Sequence, residues 1–185
     1  MSDTTISAVK GIAPRIAPTA FVAPGCRIIG DVSLGENASV WYNCVIRGDM
    51  SHIRIGARTN VQDSCMIHCD DANSNHPIYP TLIGEDCMVG HMSMLHGCTL
   101  EDRAVAGMGT IIFNGATIES DGMLAAGAML TSGKVIRSGE LWSGRPAKFL
   151  RNLTAKEIAS NQEATAFYIE NCRRHADAKS AVRAV

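Results

Sequence analysis

The sequence predicts an all-β fold, a left-handed parallel β-helix of hexapeptide repeats, followed by a C-terminal α-helix. Two observations support the β-helix: apolar residues recur every six positions, and glycine, asparagine or aspartate often stands three positions after them. A third observation, Thr154 followed by Glu157 after the last repeat, predicts the start of the helix. The left hand belongs to this repeat architecture, since spacing alone does not show it.

The six-residue period identifies the residues predicted to point inward. A helix would need spacings of three and four, and an ordinary strand would alternate, so a period of six indicates a short strand followed by a turn. The period covers six positions from Ile16 to Ile46 and, after a slip of three residues, continues at Ile55, Val61 and Ile67. The longest run is Leu82, Met88, Met94, Leu100, Ala106, Ile112, Ile118, Leu124, Leu130, Ile136 and Trp142.

The residues predicted at the corners favour tight turns, because Gly, Asn and Asp tolerate positive φ. Three strands and three corners would close a triangular coil of about 18 residues, stacked on the next coil by parallel strand pairing. The predicted corner residues are Gly25, Asp31, Asn37, Asn43, Asp49, Asp70, Gly97, Gly109, Gly115, Asp121, Gly127, Gly133 and Gly139.

We expect a single domain over residues 1–185. The β-helix is predicted over 10–150, with a loop at 73–81 where two prolines break the period, and the helix is predicted over 154–179. A solenoid of this kind buries its core by stacking its coils and needs capped ends.

Composition excludes several classes of function. The formal net charge of −1 offers no basic surface for nucleic acid, and no apolar run is long enough to span a membrane. The chain has seven cysteines, an odd number that argues against a framework of paired disulfides. Its N-terminus has neither the basic nor the apolar region of a signal peptide. We therefore expect a cytoplasmic protein with reduced thiols.

Two histidines are predicted to share a ligand. With residues 73–81 looped out, Ile67 stacks on Met94, which places His68 and His96 on neighbouring strands about 4.8 Å apart. The same count stacks Val61 on Met88, which places Gln62 on the side of the coil that carries His91.

His91 cannot join that pair within one chain. It lies five residues before His96, roughly 16 Å in extended chain, and is predicted at a corner. A homotrimer would solve this by bringing His91 of one copy to His68 and His96 of the next. Three imidazoles with one open position are typical of catalytic zinc, and a fourth ligand for a closed site could come from Cys65, Cys69, Cys87 or Cys98.

Four segments resemble γ-class carbonic anhydrases: RGD at 47–49, NVQDSCMIH at 60–68, GHMSMLHGC at 90–98 and GRPAKFLRNLT at 144–154. The resemblance covers roughly residues 10–170, repeat included. It implies a homotrimer that hydrates CO2 to bicarbonate by a metal hydroxide at subunit interfaces. It also implies the metal ligands His68, His91 and His96, with Zn²⁺ as cofactor and Fe²⁺ or Co²⁺ as alternatives.

The resemblance further implies roles for residues around the ligands. It assigns orientation of the hydroxide to Gln62 with Asn60, a place near the site to Tyr168, and interface ion pairs to Arg47, Asp49 and Asp63. The best-characterised enzymes have a glutamate directly after the RGD segment and a shuttle carboxylate on an acidic loop that follows the first metal ligand. This chain has Met50 at the first position, and its candidate proton shuttles are Asp70, Asp71 and His76.

Other functions remain open at this point. Hexapeptide-repeat acyltransferases share the repeat and use one histidine as general base, and a non-catalytic trimeric scaffold could retain the metal for assembly. Hydrolysis of a thioester by the same metal hydroxide is a further alternative. A single catalytic base would not require three histidines that converge across a trimer, so the residues favour the hydratase.

Overall fold

The computed structural model describes residues 4–71 and 77–181, with side chains described as far as residue 176 of the final helix. Over these residues the chain forms a parallel β-helix of about seven turns, followed by one α-helix. Strands from successive coils pair in parallel, and the final hairpin is antiparallel.

The described strands form two sheets. The larger sheet contains β1 (Thr5–Ser7), β2 (Arg15–Ile16), β4 (Arg27–Leu34), β6 (Val45–Ile55), β8 (Met66–His68), β9 (Thr81–Ile83), β11 (Met94–His96), β12 (Thr99–Leu100), β14 (Ile111–Ile112), β15 (Thr117–Ile118), β17 (Met129–Leu130) and β18 (Val135–Ile136). The smaller contains β3 (Phe21–Val22), β5 (Ser39–Val40), β7 (Asn60–Val61), β10 (Met88–Val89), β13 (Val105–Ala106), β16 (Met123–Leu124), β19 (Glu140–Gly144) and β20 (Ala147–Asn152).

These strands make the three faces of a prism. The first face holds β8, β11, β14 and β17, and the second holds β9, β12, β15 and β18. The long strand β6 pairs with both β8 and β9, so it joins the two faces into the larger sheet. The third face holds β7, β10, β13 and β16.

The inward residues follow the predicted period in most of the chain. Ile28, Ile46, Ile67 and the run from Leu100 to Ile136 are almost completely buried. The prediction was wrong by one residue at Leu82, Met88 and Met94, which are only half-buried. The buried residues there are Ile83, Val89 and Leu95. The cause is a step of five residues between Leu95 and Leu100, so a single six-residue count cannot match the inward residues on both sides of it.

Most turns lie where the six-residue period predicts them. Ten of the predicted corner residues have positive φ, including Gly25, Asn43, Gly97 and Asp121. The prediction was wrong for Asp31, Asp49 and Asp70, which lack positive φ. Asp31 and Asp49 lie within the extended strands β4 and β6.

Regular structure also covers both ends of the β-helix, with a paired strand before it and an α-helix after it. Strand β1 pairs with β4, so pairing begins at Thr5, earlier than residue 10. The helix α1 (Ala155–Ala181) opens with reciprocal hydrogen bonds between Thr154 and Glu157.

Asp70 and Tyr79 bridge the base of the loop after β8, and Thr81 already belongs to β9. Residues 72–76, with the predicted shuttle His76, lie outside the described residues.

Across the described ranges, no helix is both long and apolar enough to cross a bilayer.

Candidate metal centre

His68 and His96 are direct neighbours on the first face. They are Cα partners in β8 and β11, and His68 Nδ1 lies 3.0 Å from His96 Nε2. Two imidazole nitrogens bound to one tetrahedral ion at about 2.0–2.1 Å would lie roughly 3.3 Å apart. The pair therefore has the spacing of two ligands of one ion.

Asp49 fixes the orientation of the His68 ring. Its Oδ1 lies 2.9 Å from His68 Nε2, and its Oδ2 accepts a hydrogen bond from Arg47 Nη1 at 2.5 Å. Burial raises the pKa of the Asp49 carboxyl, but these hydrogen bonds outweigh burial and hold the pKa below its usual range. Since a carboxylate only accepts, the proton of the neutral His68 ring lies on Nε2, and Nδ1 keeps its lone pair.

Asn114 fixes the orientation of the His96 ring in the same way, and the sequence analysis did not predict this residue. Its Oδ1 lies 2.6 Å from His96 Nδ1, and its Nδ2 donates to Asp70 Oδ2 at 2.9 Å. His96 therefore carries its proton on Nδ1, and its Nε2 lone pair faces the lone pair of His68 Nδ1. Two lone pairs at this distance repel each other unless a proton or a metal ion lies between them. The donor set fits a divalent metal.

His91 stands apart from this pair. It follows β10 on the third face, where its Nδ1 lies 2.8 Å from Asp63 Oδ2, which leaves Nε2 as the donor nitrogen. The predicted corner position was wrong, because the preceding inward residue is Val89 and Met92 therefore has the positive φ. Within residues 4–71 and 77–181 no group of three or more potential ligands forms inside one chain.

Gln62 and Asn60 are buried beside His91. Gln62 Oε1 accepts a hydrogen bond from the His91 backbone N at 3.2 Å, and Gln62 Nε2 donates to Asn60 Oδ1 at 3.1 Å. Gln62 is 4% exposed and Asn60 is fully buried. Both polar ends of the Gln62 amide are therefore fixed, with one further donor and acceptor position left for a ligand.

Tyr168 reaches the same place from the helix. It lines a cleft of about 350 Å³ together with Gln62 and His91, and the remaining lining is largely methionine, valine and alanine. Its ring packs edge-on against Trp41 at a centroid distance of 5.3 Å. Burial raises the pKa of the Tyr168 hydroxyl, and the charge of Asp63 adds to the effect.

The predicted shuttle residues are partly located. Asp70 lies two hydrogen bonds from His96, through Asn114. Asp71 is half-buried. Met50, at the position of the family glutamate, has no titratable group and is 43% exposed.

The four cysteines considered as a fourth ligand are buried in the core. Cys65 Sγ donates to the Gly90 carbonyl and Cys87 Sγ to the Glu101 carbonyl. Burial raises the pKa of Cys87 and of Cys98 to about 12. These two are therefore neutral thiols, whereas a metal binds the thiolate.

No protein-family profile matches the chain, but comparison with known proteins finds close relatives among both curated sequences and solved structures. The chain is 42% identical over 172 residues to the mitochondrial gamma carbonic anhydrase 1 of Arabidopsis thaliana, which covers 93% of this chain and 62% of that protein. It is 40% identical over 155 residues to the probable carbonic anhydrase of Methanocaldococcus jannaschii, covering 84% and 94%. The solved structure of a hexapeptide transferase family protein from Anaplasma phagocytophilum matches with a TM-score of 0.86 and 44% identity, covering 94% and 98%.

These relatives confirm two predictions. The likeness to hexapeptide-repeat structures confirms the left-handed β-helix with a C-terminal helix. The chain spans less than two thirds of the plant relative but nearly all of the archaeal one. The resemblance carried by the histidine segments is confirmed as well, and the chain belongs to the family of γ-class carbonic anhydrases and their hexapeptide-repeat relatives.

Proposed function

We propose that this protein is a metal-dependent carbonate dehydratase, which hydrates CO2 to bicarbonate at sites between the subunits of a homotrimer. One observation carries the proposal: His68 Nδ1 and His96 Nε2 face each other at 3.0 Å, and each ring gives its other nitrogen to an acceptor oxygen. The names of the relatives support the same reaction type.

The three histidines would hold the metal. His68 and His96 come from one copy, and His91, which Asp63 orients, comes from another copy of the chain. Three neutral imidazoles suit Zn²⁺, with Fe²⁺ and Co²⁺ as alternatives. A divalent metal held in this way lowers the pKa of a bound water and supplies hydroxide at neutral pH.

The chain's own residues orient the reactants. Gln62 holds its amide in one direction because the His91 N–H and Asn60 Oδ1 occupy opposite ends of it. Its remaining hydrogen-bonding positions orient the attacking oxygen. The apolar wall of the adjoining cleft, with Met88, Val105 and Met123, suits uncharged CO2, and the Tyr168 hydroxyl is a polar group in that cleft.

Proton removal needs a titratable group near the site. Met50 cannot serve, so we place the exit at the base of the loop after β8, where Asp70 and Asp71 lie and which leads to His76. Arg47 supports this edge of the site by its hydrogen bond to Asp49. We place Arg47, Asp49 and Asp63 at the subunit interface, as the resemblance implies.

Acyl transfer is the second candidate, since the Anaplasma protein is named as a hexapeptide transferase family protein. An acyltransferase would leave the paired lone pairs of His68 and His96 without a purpose. Protection of the protein by an acyl-CoA in thermal melts would favour this alternative. The cytoplasmic location stays a prediction, because the named plant relatives are mitochondrial.

Stopped-flow CO2 hydration tests the proposal directly. Zinc- or cobalt-loaded protein should exceed metal-stripped protein, and elemental analysis should give one metal per chain on a species of three chain masses. His68→Ala should abolish the gain, and His52→Gln, at a histidine outside the site, should retain it. Equal rates with and without metal would refute the hydratase and favour a scaffold.

A further inference from the structure

We propose that Asp70 and Asn114 are positioning residues that set the tautomer of His96 and so make its Nε2 available as a metal donor. The inference rests on the proposed function for the role of His96, but not on any rate of CO2 hydration. It gives Asn114, and Asp70 at the base of the loop after β8, a role in orienting a metal ligand.

The three residues form one continuous chain of hydrogen bonds. His96 Nδ1 lies 2.6 Å from Asn114 Oδ1, and Asn114 Nδ2 donates to Asp70 Oδ2 at 2.9 Å. Asn114 stands one coil above His96, because β11 pairs with β14. Asp70 approaches from the loop base, where its backbone N and O pair with Tyr79 at 2.9 and 3.1 Å.

The direction of the Asn114 amide decides the chemistry of His96. An amide has an accepting end and a donating end, so alone it could face an imidazole either way round. With Oδ1 toward the ring, Nδ1 must carry the proton and Nε2 keeps its lone pair. With Nδ2 toward the ring, Nδ1 must accept, and the proton moves to Nε2, where it blocks a metal.

Asp70 removes this ambiguity, since a carboxylate oxygen accepts and does not donate. It can pair only with Asn114 Nδ2, which leaves Oδ1 for His96. His68 and His91 need no such third residue, because Asp49 and Asp63 contact their rings directly. His96 is the one ligand among these three whose carboxylate acts through an amide.

The fold leaves room for this arrangement at one glycine. A Cβ at Gly97 would lie 2.5 Å from Asn114 Oδ1 and 2.7 Å from the Tyr79 Cβ. The residue after His96 therefore has to be small for Asn114 and the loop base to come this close. This contact couples the loop after β8 to the ligand on β11.

The isosteric variant Asp70→Asn tests the proposal, because it keeps the shape of the side chain and removes the group that fixes the direction of the Asn114 amide. Competition with a zinc chelator should show about tenfold weaker zinc binding, the lower range for residues that orient metal ligands. Two-bond ¹H–¹⁵N NMR correlations of the metal-free protein at alkaline pH should show that His96 Nδ1 loses part of its proton occupancy.

The double variant Asp70→Asn/Asn114→Asp swaps the two side chains and should restore both readouts. The carboxylate introduced at position 114 would accept from His96, and the amide introduced at position 70 would donate to that carboxylate, so the original direction returns. Asp121→Asn, which removes a carboxylate that pairs with Arg103, is the control and should change neither readout.

Unchanged zinc affinity in Asp70→Asn, or a double variant no better than the single one, would overturn the proposal. The NMR readout needs neither metal nor CO2. Wild-type protein that failed to bind metal would thus refute the proposed function, while His96 Nδ1 would still report on Asp70.

Discussion

His91 Nδ1 lies 2.8 Å from Asp63 Oδ2, and these side chains are 36% and 38% exposed. Asp63 Oδ1 also accepts a hydrogen bond from the backbone N of Tyr42 at 3.1 Å. Because Tyr42 lies on the coil below, this bond ties the Asp63 carboxylate to that coil. The His91 ring is thus held firmly but remains accessible. This is the arrangement expected of a ligand offered to another copy of the chain.

Mixed oligomers test whether His91 acts across a subunit boundary. His68→Ala and His91→Ala should each lose zinc alone. Assembled together at equal amounts, they should recover zinc at about a quarter of the sites, because some interfaces then combine an intact His68 with an intact His91. Elemental analysis of the mixed species checks this.

The matched control is a mixture of His68→Ala with His96→Ala. Both residues lie on the same strand pair, so no interface of such a mixture joins an intact pair. Zinc recovery in this mixture, or none in the first, would contradict a site completed by His91 of another copy.

Replacement of Gln62 by alanine should reduce both stability and activity. It leaves Asn60 Oδ1 and the His91 N–H without their buried partner, which should cost about 1–3 kcal/mol of unfolding free energy. We expect kcat/KM for CO2 to fall by at least about tenfold, since the attacking oxygen loses its orientation. Denaturant unfolding and stopped-flow assays measure the two effects.

Gln162→Ala is the control for this variant, because Gln162 is exposed on α1. It should change neither quantity. A Gln62→Ala enzyme with unchanged kcat/KM would show that the amide takes no part in the reaction.

The sequence predicted the stacked coils, but not the one-residue shift of the inward-facing positions between residues 82 and 95. At 82–83, 88–89 and 94–95 both adjacent residues are apolar, so hydrophobicity could not decide which one points inward. In the turn where the step between Leu95 and Leu100 is shortened, Gly97 packs under Asn114, which is a contact between coils. Spacing along the chain does not report such contacts.

Alanine substitutions at Leu95 and Met94 distinguish the two registers. Leu95→Ala should lower the unfolding free energy by about 2–5 kcal/mol, because it opens a cavity in a fully buried position. Met94→Ala should cost clearly less, since Met94 is only half-buried on the outer side of β11. Equal losses, measured by denaturant unfolding, would contradict the observed register.

The juxtaposition of the candidate ligands His68 and His96 was predictable, but the residues that contact their rings were less so. His68 and His96 could be paired because the count needed only the right strands, and a one-residue error kept them neighbours. Asn114 could have been found, since it follows His96 by 18 residues, the predicted length of one coil. The contact of Asp63 with His91 depends on how two turns stack, which no repeat period specifies.

The start of α1 should show a defined pH dependence. Hydrogen bonds from Arg151 and from Thr154 lower the pKa of the Glu157 carboxyl to about 2. Because this pKa lies below the usual value of 4.5, the stabilisation is complete above pH 4.5 and is lost as the pH falls toward 2. Melting temperatures of wild type and Glu157→Gln should therefore differ at neutral pH and converge in acid.

Glu163→Gln, at an exposed position further along the same helix, is the control and should melt at nearly the same temperature as the wild type at neutral pH. A gap between wild type and Glu157→Gln that widened in acid would contradict the sign of this linkage.

Alanine at Gly97 should cost more than alanine at Gly109, although both glycines have nearly the same backbone conformation, with φ of 58° and 65°. The left-handed conformation alone should cost each variant about 1–2 kcal/mol. A Cβ at Gly109 meets nothing within 4 Å, whereas at Gly97 it meets Asn114 Oδ1 at 2.5 Å. A Cβ at Gly97 would also meet the Tyr79 Cβ at 2.7 Å, so the difference in unfolding free energy between the two variants measures these two close contacts together. Gly97→Ala should also weaken zinc binding, because the displaced Asn114 no longer holds His96, while Gly109→Ala should bind zinc as the wild type does. Equal zinc affinities in the two variants would show that the close approach of Asn114 to Gly97 has no bearing on the metal ligands.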